Sequence, residues 1–245
     1  MVDEVLAKSF EKTGADYDRF RPGFPPAVAE HVIPTRIATV LDLGAGTGKF
    51  TEQLVGRADR VIAVEPSAAM LDVLRAKLPE VEALEGSAET IPLPDGAVDA
   101  VAVAQAFHWF DREPACAEIA RVLAPGGTLA LLWNHSDAAC AWDRAAHRIA
   151  HPAFGESDGT TDSAADELPG FEFEASEEFG WSERISRADY LARWGTVSTF
   201  LVADDETRAA MTAEIERILD GDPETAGRAE FELPLVTDVY LYRRA

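Results

Sequence analysis

The stretch Val40-Leu41-Asp42-Leu43-Gly44-Ala45-Gly46-Thr47-Gly48-Lys49-Phe50 decides how this chain folds. An apolar run, Thr39–Leu43, breaks into three alternating glycines. A helical pattern follows, with Phe50 and Leu54 four apart and a stop at Gly56. Glycine is needed where the backbone turns sharply and a ligand must approach without a Cβ in the way. A merely tight strand-to-helix turn also uses glycines, so the spacing has to be compared with the known ligand loops. A phosphate loop needs GxxxxGK[ST], but Phe50 follows Gly48-Lys49 and Leu43 stands five before Gly48. A dinucleotide fingerprint needs a third glycine where Lys49 or Thr51 stands. What remains is a GxGxG turn preceded by Asp42.

Working outward, strands and helices alternate through the first two-thirds. Arg60–Glu65 reads as a second strand. Ser67 is a good N-cap for a helix carrying Leu71, Leu74 and Leu78, which Pro79 ends. Val81–Glu85 is a third strand. Asp99–Ala104, nearly all apolar, is a fourth of the kind covered on both faces. A helix capped near Asp111 buries Ala115, Ile119, Val122 and Leu123. Pro125, Gly126 and Gly127 then turn the chain into a fifth strand, Thr128–Trp133, and a helix spans Cys140–Ala150. Repeated β–α units predict a parallel sheet with right-handed crossovers.

The last third changes character. Gly155–Gly170 is a polar loop and Phe171–Trp181 a strand. Helices lie near Arg187–Thr196 and Glu206–Leu219, with Gly221 as a stop, and Phe231–Tyr242 is β-rich. The expectation is one α/β, Rossmann-like domain with a mostly parallel seven-stranded sheet, an antiparallel C-terminal edge strand and a small helical cap. An N-terminal arm takes up residues 1–35, the core 36–152, and the C-terminal strands 153–245 with the cap at 186–220.

Composition sets the outer bounds. Of 245 residues, 47% are apolar, enough for a sizeable core. No run is long enough to span a bilayer, and no secretory signal opens the chain. Asp and Glu number 44 against 22 Lys and Arg, a net charge of −22 that opposes a nucleic-acid partner. Two cysteines, Cys116 and Cys140, form no disulfide framework, and a reducing cytoplasm is the simplest compartment.

The glycine turn resembles motif I of the class I S-adenosylmethionine-dependent methyltransferases, and the resemblance extends over most of the chain. It implies that Asp42, Gly44, Ala45, Gly46 and Gly48 lie beneath the amino-acid end of S-adenosylmethionine. Glu65, ending Val61-Ile62-Ala63-Val64-Glu65-Pro66-Ser67, would hold the ribose hydroxyls, since a carboxylate accepts two hydrogen bonds from a vicinal diol. The resemblance also assigns Pro66 and Met70 to this site. Gly86-Ser87-Ala88-Glu89 resembles the adenine-contacting segment; many relatives have Asp where Ser87 stands, so contact would run through the backbone of Ala88 or Glu89. The stretches Asp95–Asp111 and Arg121-Val122-Leu123-Ala124-Pro125-Gly126-Gly127 resemble the fourth- and fifth-strand motifs.

Tyr17-Asp18-Arg19-Phe20-Arg21-Pro22-Gly23-Phe24-Pro25 resembles a signature of the small-molecule branch related to trans-aconitate methyltransferase. Tyr17 would close the pocket, and Arg21 would meet the cofactor's carboxylate or a substrate acid. An aromatic-anchored arm stiffened by prolines is the plainer reading. Gln105 and Ala106 open Gln105-Ala106-Phe107-His108-Trp109-Phe110-Asp111, at the carboxyl edge where open α/β sheets bind ligands. His108 would serve there as pocket wall or general base, because its ordinary pKa of about 6.5 suits neutral pH. Trp109 would line the substrate side with Arg193 and Trp194 of the cap. His147 and His151 are four apart, but Arg148 replaces the Glu of HExxH, so no metal is expected and both read as surface or cap residues.

The function expected is methyl transfer to O, N or C of a small-molecule acceptor, carboxylic acids included, with S-adenosylhomocysteine as product. The enzyme would act in the cytoplasm as a monomer or homodimer with no membrane partner. A non-catalytic S-adenosylmethionine-binding protein and a nucleotide or RNA methyltransferase are the alternatives.

Overall fold

The computed structural model describes residues 18–150 and 167–245. Seven strands form one sheet: β1 (Ile37–Leu43), β2 (Ala58–Glu65), β3 (Glu82–Glu85), β4 (Val98–Ala104), β5 (Leu123–Ser136), β6 (Phe171–Ser186) and β7 (Glu230–Arg244). Among them run helices α1 (Pro26–Val32), α2 (Thr51–Leu54), α3 (Ala68–Lys77), α4 (Arg112–Val122), α5 (Ala141–Ala150), α6 (Arg187–Trp194), α7 (Ser198–Val202) and α8 (Asp205–Gly221). Among the described residues no helix is long and apolar enough to cross a membrane.

The sheet order is β3-β2-β1-β4-β5-β7-β6. The five strands from β3 to β5 are parallel, and β7 runs antiparallel to both its neighbours. The C-terminal strand is thus antiparallel as expected, but it lies one place in, and β6 takes the edge. Strand order reverses between β1 and β4, which opens a crevice at their carboxyl ends.

Alternation along each strand divides the core. Leu41, Val101, Val103, Leu131 and Trp133 pack on one face of the sheet with Ile119 and Val122 of α4. Val40, Ala102 and Leu132 pack on the other with Val28 of α1, Phe50 and Leu54. Burying both faces explains why these strands carry almost no polar residues. Ser67 caps α3 as read, its hydroxyl accepting from Met70 N at 3.4 Å.

Several expectations need correcting. The helix after the glycine turn is one short turn, Thr51–Leu54, cut off before Gly56. The fifth strand begins at Leu123, and Pro125-Gly126-Gly127 forms a bulge inside it: β5 pairs Leu123 with Val98 and next Thr128 with Ala100. Asp111 occupies the N-cap position of α4, yet its side chain makes no capping bond. Gly221 is the last helical residue of α8, not a stop before its end. Most of the loop expected over Gly155–Gly170 lies outside the described residues, as do Tyr17 and His151.

The cap is α6, α7 and α8 packed on α5 and the far halves of β6 and β7. Trp142, Tyr190, Trp194, Phe200, Ile215, Leu219 and Phe231 share its core. A polar knot lies within it: the wholly buried Asp143 accepts from Tyr190 Oη at 2.7 Å and from Ser136 Oγ at 2.5 Å. His147 Nε2 stands 3.7 Å from the same carboxylate, and its ring packs on Trp194 at 4.9 Å. It is therefore a half-buried member of the cap rather than a surface residue.

At the sheet's outer edge, Glu172, Glu174, Glu177 and Glu178 of β6 are exposed. The register of β6 slips at Glu174, where Phe173 and Ala175 oppose the consecutive Tyr242 and Leu241.

Candidate functional site at the carboxyl edge of the sheet

The three glycines of the turn take positive φ, 72° at Gly44, 55° at Gly46 and 83° at Gly48. Each answers to a different neighbour. A Cβ at Gly44 would lie 2.6 Å from the Ala106 Cβ, so the end of β4 requires a bare backbone there. A Cβ at Gly48 would meet Leu74 at 3.0 Å and Leu78 at 3.2 Å, where α3 packs down. At Gly46 the nearest atom would be the Met70 sulfur, 3.8 Å away. Gly46 is the member of the three that leaves room for something besides protein.

Glu65, at the end of β2, is 7% exposed and turns back onto that turn. Its Oε2 accepts from Gly46 N and its Oε1 from Ser67 N, both at 2.9 Å. Burial pushes its pKa up, and the two amide bonds pull against that shift. Each carboxylate oxygen has two acceptor positions, so these bonds orient the group and leave one lone pair on each for a ligand.

Asp42 lies beneath the turn at 1% exposure and accepts from Thr51 Oγ1 at 2.6 Å. Its Oδ1 has no hydrogen-bond partner among the described residues. Burial pushes its pKa up to about 7, against the Thr51 bond and with help from the negative Glu65. Asp42 thus supports the turn from below.

Gln105 follows β4 with φ 56°, the one non-glycine positive φ among the described residues. Its backbone N donates to Leu132 O at 2.8 Å and its side-chain amide to Asn134 O at 2.9 Å. Holding a non-glycine in that conformation costs about 1–3 kcal/mol and recurs at ligand sites. Next come Ala106 and the 3₁₀ turn Phe107–Trp109. Trp133 Nε1 donates to His108 Nδ1 at 3.5 Å, and the His108 ring leans on Trp109 at 4.9 Å. Indole N–H can only donate, so neutral His108 carries its proton on Nε2.

Other expected residues take other work. Arg21 Nη2 donates to Thr196 O at 3.1 Å, fastening the arm to the cap. Glu89 Oε1 accepts from Asp111 N at 3.0 Å, and Ala88 is buried. Ser87 pairs with Thr90 in an isolated bridge, Met70 is buried beside the turn, and Pro66 is exposed. Trp194 and Arg193, 2% and 5% exposed, belong to the cap core.

Asn134, just past the expected fifth strand at the same sheet edge, drew no role from the sequence because no motif singles it out. Its Nδ2 donates to Gly23 O of the arm at 2.9 Å, and its Oδ1 accepts from Thr237 Oγ1 at 2.5 Å. It joins the arm to the sheet beside Gln105. The signal was a polar residue ending an apolar strand at the ligand edge, without a motif around it.

Known proteins agree with this geometry. A family described as a methyltransferase domain matches residues 41–131, from β1 into β5. The chain is 32% identical over 243 residues to a Schizosaccharomyces pombe protein named an uncharacterized methyltransferase, with 96% of this chain and 97% of that one aligned. A Mycobacterium tuberculosis protein, also named an uncharacterized methyltransferase, is 52% identical over 139 residues, and that match spans 57% of each chain. A solved structure from Anaeromyxobacter dehalogenans, offered as a type II methyltransferase, superposes with a TM-score of 0.71 at 28% identity over 91% of this chain and 97% of that one. By its glycine turn, its sheet order and these relatives, the chain belongs to the class I S-adenosylmethionine-dependent methyltransferases.

Proposed function

We propose that this chain binds S-adenosylmethionine in the crevice between β1 and β4 and transfers its methyl group to a small-molecule acceptor. The observation that carries this reading is the Glu65 carboxylate, held by Gly46 N and Ser67 N beside the glycine of the turn whose absent Cβ would meet nothing nearer than the Met70 sulfur at 3.8 Å. Those features suit a ligand with a vicinal diol, and the residues fit the cofactor.

When bound, S-adenosylmethionine supplies an electrophilic methyl on a sulfonium. Glu65 would receive the ribose hydroxyls, and the turn Gly44–Gly48 would pass beneath the amino-acid portion. Ala88 and Glu89 would border the adenine. Methyl transfer is an in-line displacement, so alignment and exclusion of water supply much of the rate. Gln105, fixed by Leu132 and Asn134, and the arm fastened at Gly23 and Arg21 would set that alignment. His108, with Nδ1 receiving the Trp133 N–H, would present a donor at Nε2 and so orient the acceptor rather than take its proton.

The acidic surface and the two buried thiols, unpaired with each other, support a small-molecule acceptor in a reducing cytoplasm and weigh against nucleic acid. Isothermal titration tests the reading: S-adenosylmethionine binds and NAD does not compare. Glu65→Ala weakens that binding by about 1–3 kcal/mol, the worth of hydrogen bonds to a charged group. Unchanged affinity in the variant would remove Glu65 from the site.

A further inference from the structure

Three side-chain hydrogen bonds run in one direction across the sheet and end on the arm. Trp181 Nε1 of β6 donates to Thr237 Oγ1 of β7 at 3.0 Å. Thr237 Oγ1 donates to Asn134 Oδ1 of β5 at 2.5 Å, and Asn134 Nδ2 donates to Gly23 O at 2.9 Å. Thr237 is wholly buried and Asn134 is 9% exposed, so a broken link strands a polar group out of water.

The two ends fix the direction. An indole N–H can only donate, and a peptide carbonyl can only accept. Thr237, receiving from Trp181, has its one hydroxyl proton left for Asn134. Asn134 therefore turns its oxygen to Thr237 and its NH2 to the arm. Turned over, the amide would set its oxygen against the Gly23 carbonyl, two acceptors face to face. A hydroxyl on β7 thus decides which way an amide on β5 points. Packing does not require either group: two residues away on the same face, Leu132 and Val239 fill the space with hydrocarbon.

Both walls of the crevice hang on that asparagine. Gly23 precedes Phe24, whose ring packs on Phe50, just past the glycine turn, at 5.1 Å. The same arm is tied at Asp18, which accepts from Lys77 Nζ of α3 at 3.1 Å. On the other side the Asn134 carbonyl accepts from the Gln105 side chain at 2.9 Å. Gln105 is the residue held at φ 56°, and its neighbour Ala106 stands against Gly44.

We propose that Thr237 and Asn134 are positioning residues for the cofactor: the Thr237 hydroxyl orients the Asn134 amide, which holds the arm against the glycine turn and so sets how tightly the crevice grips S-adenosylmethionine. This rests on the reading that the crevice binds S-adenosylmethionine, and it concerns the grip and not the acceptor.

Isothermal titration of the full chain with S-adenosylhomocysteine tests it, alongside hydrogen exchange at the amides of Phe24 and α1. Thr237→Val and Asn134→Ala should each weaken binding about five- to fiftyfold. The double variant should stay within about twofold of the weaker single, because both changes cut one chain. Thr237→Ser keeps the hydroxyl and should bind within about twofold of the parent. Exchange at Phe24 and α1 should quicken in Thr237→Val and stay slow in Thr237→Ser. A merely structural role would lower the melting temperature of Thr237→Val and leave its affinity where it was. Parent-like affinity in Thr237→Val, a Thr237→Ser as weak as Thr237→Val, or losses that multiply in the double variant overturn the proposal. If Thr237→Val and Asn134→Ala do not fold, the parent decides: S-adenosylhomocysteine should slow exchange at Phe24 and α1, and no slowing overturns the link between arm and crevice. A parent chain that does not take S-adenosylhomocysteine overturns the cofactor reading and this one together. A parent that takes it, with variants that bind equally well, overturns this one alone.

Discussion

Glu65 and Asp42 are two carboxylates with opposite tasks, set by what surrounds them. Glu65 has both oxygens on backbone amides at the crevice, and those two bonds oppose the upward push of burial on its pKa. Asp42 is sealed under the turn with a single hydroxyl donor, and burial favours its neutral form. Its pKa rises from 3.8 to about 7, so the folded chain holds a proton there that the unfolded chain has already released. Between these values the unfolded state binds fewer protons, and this group's contribution to stability falls as pH climbs. Asp42→Asn, which cannot ionise, should flatten that part of the slope. Denaturant unfolding of both proteins from pH 4 to 8 reads it: the stability difference should swing toward the variant as pH rises, and parallel curves would refute the assignment. At this scale the sequence was informative where a motif surrounds the residue, as at Glu65. It gave no role to Asn134 or Asp143, whose partners Thr237 and Tyr190 lie 103 and 47 residues away.

Among the elements, the turn between β1 and α2 is the most constrained. Gly44→Ala would place a methyl 2.6 Å from Ala106 at φ 72°, combining a clash with an unfavourable backbone region. We expect a stability loss of about 2–4 kcal/mol, at the upper end for a single substitution, read as a lower midpoint in urea. A loss below 1 kcal/mol would mean that β4 gives way easily. Gly46→Ala meets only the Met70 sulfur and should cost less stability than Gly44→Ala. The β–α alternation was legible because strands buried on both faces are written as unbroken apolar runs. The β5 bulge was not, because Pro125-Gly126-Gly127 has the same composition whether it precedes a strand or interrupts one. Nor was α7, whose five residues span little more than a turn and carry no periodicity to find.

On the scale of the whole molecule, arm, sheet and cap are bound together by a few long-range polar contacts: Asn134 to Gly23, Arg21 to Thr196, and Tyr190 to Asp143. The position of the C-terminal strand was half legible. Its antiparallel sense follows from the strand, helices, strand order of the last third. Its place inside β6 depends on pairing over the full length of both strands, which no local pattern encodes.

That placement has a consequence for life in a crowded solution. The outermost backbone groups belong to β6, and an open row of amides and carbonyls invites polymerisation with any similar row. Here the row is guarded by like-charged side chains at Glu172 and Glu178, for Glu174 is paired with Arg243 at 2.6 Å and Glu177 stands 3.3 Å from His31, and by the kink at Glu174 that spoils its straightness. Two identical molecules approaching rim to rim would press negative against negative. Replacing Glu172 and Glu178 by Gln should release the guard, and light scattering would show particle mass growing with concentration while the parent's stays level.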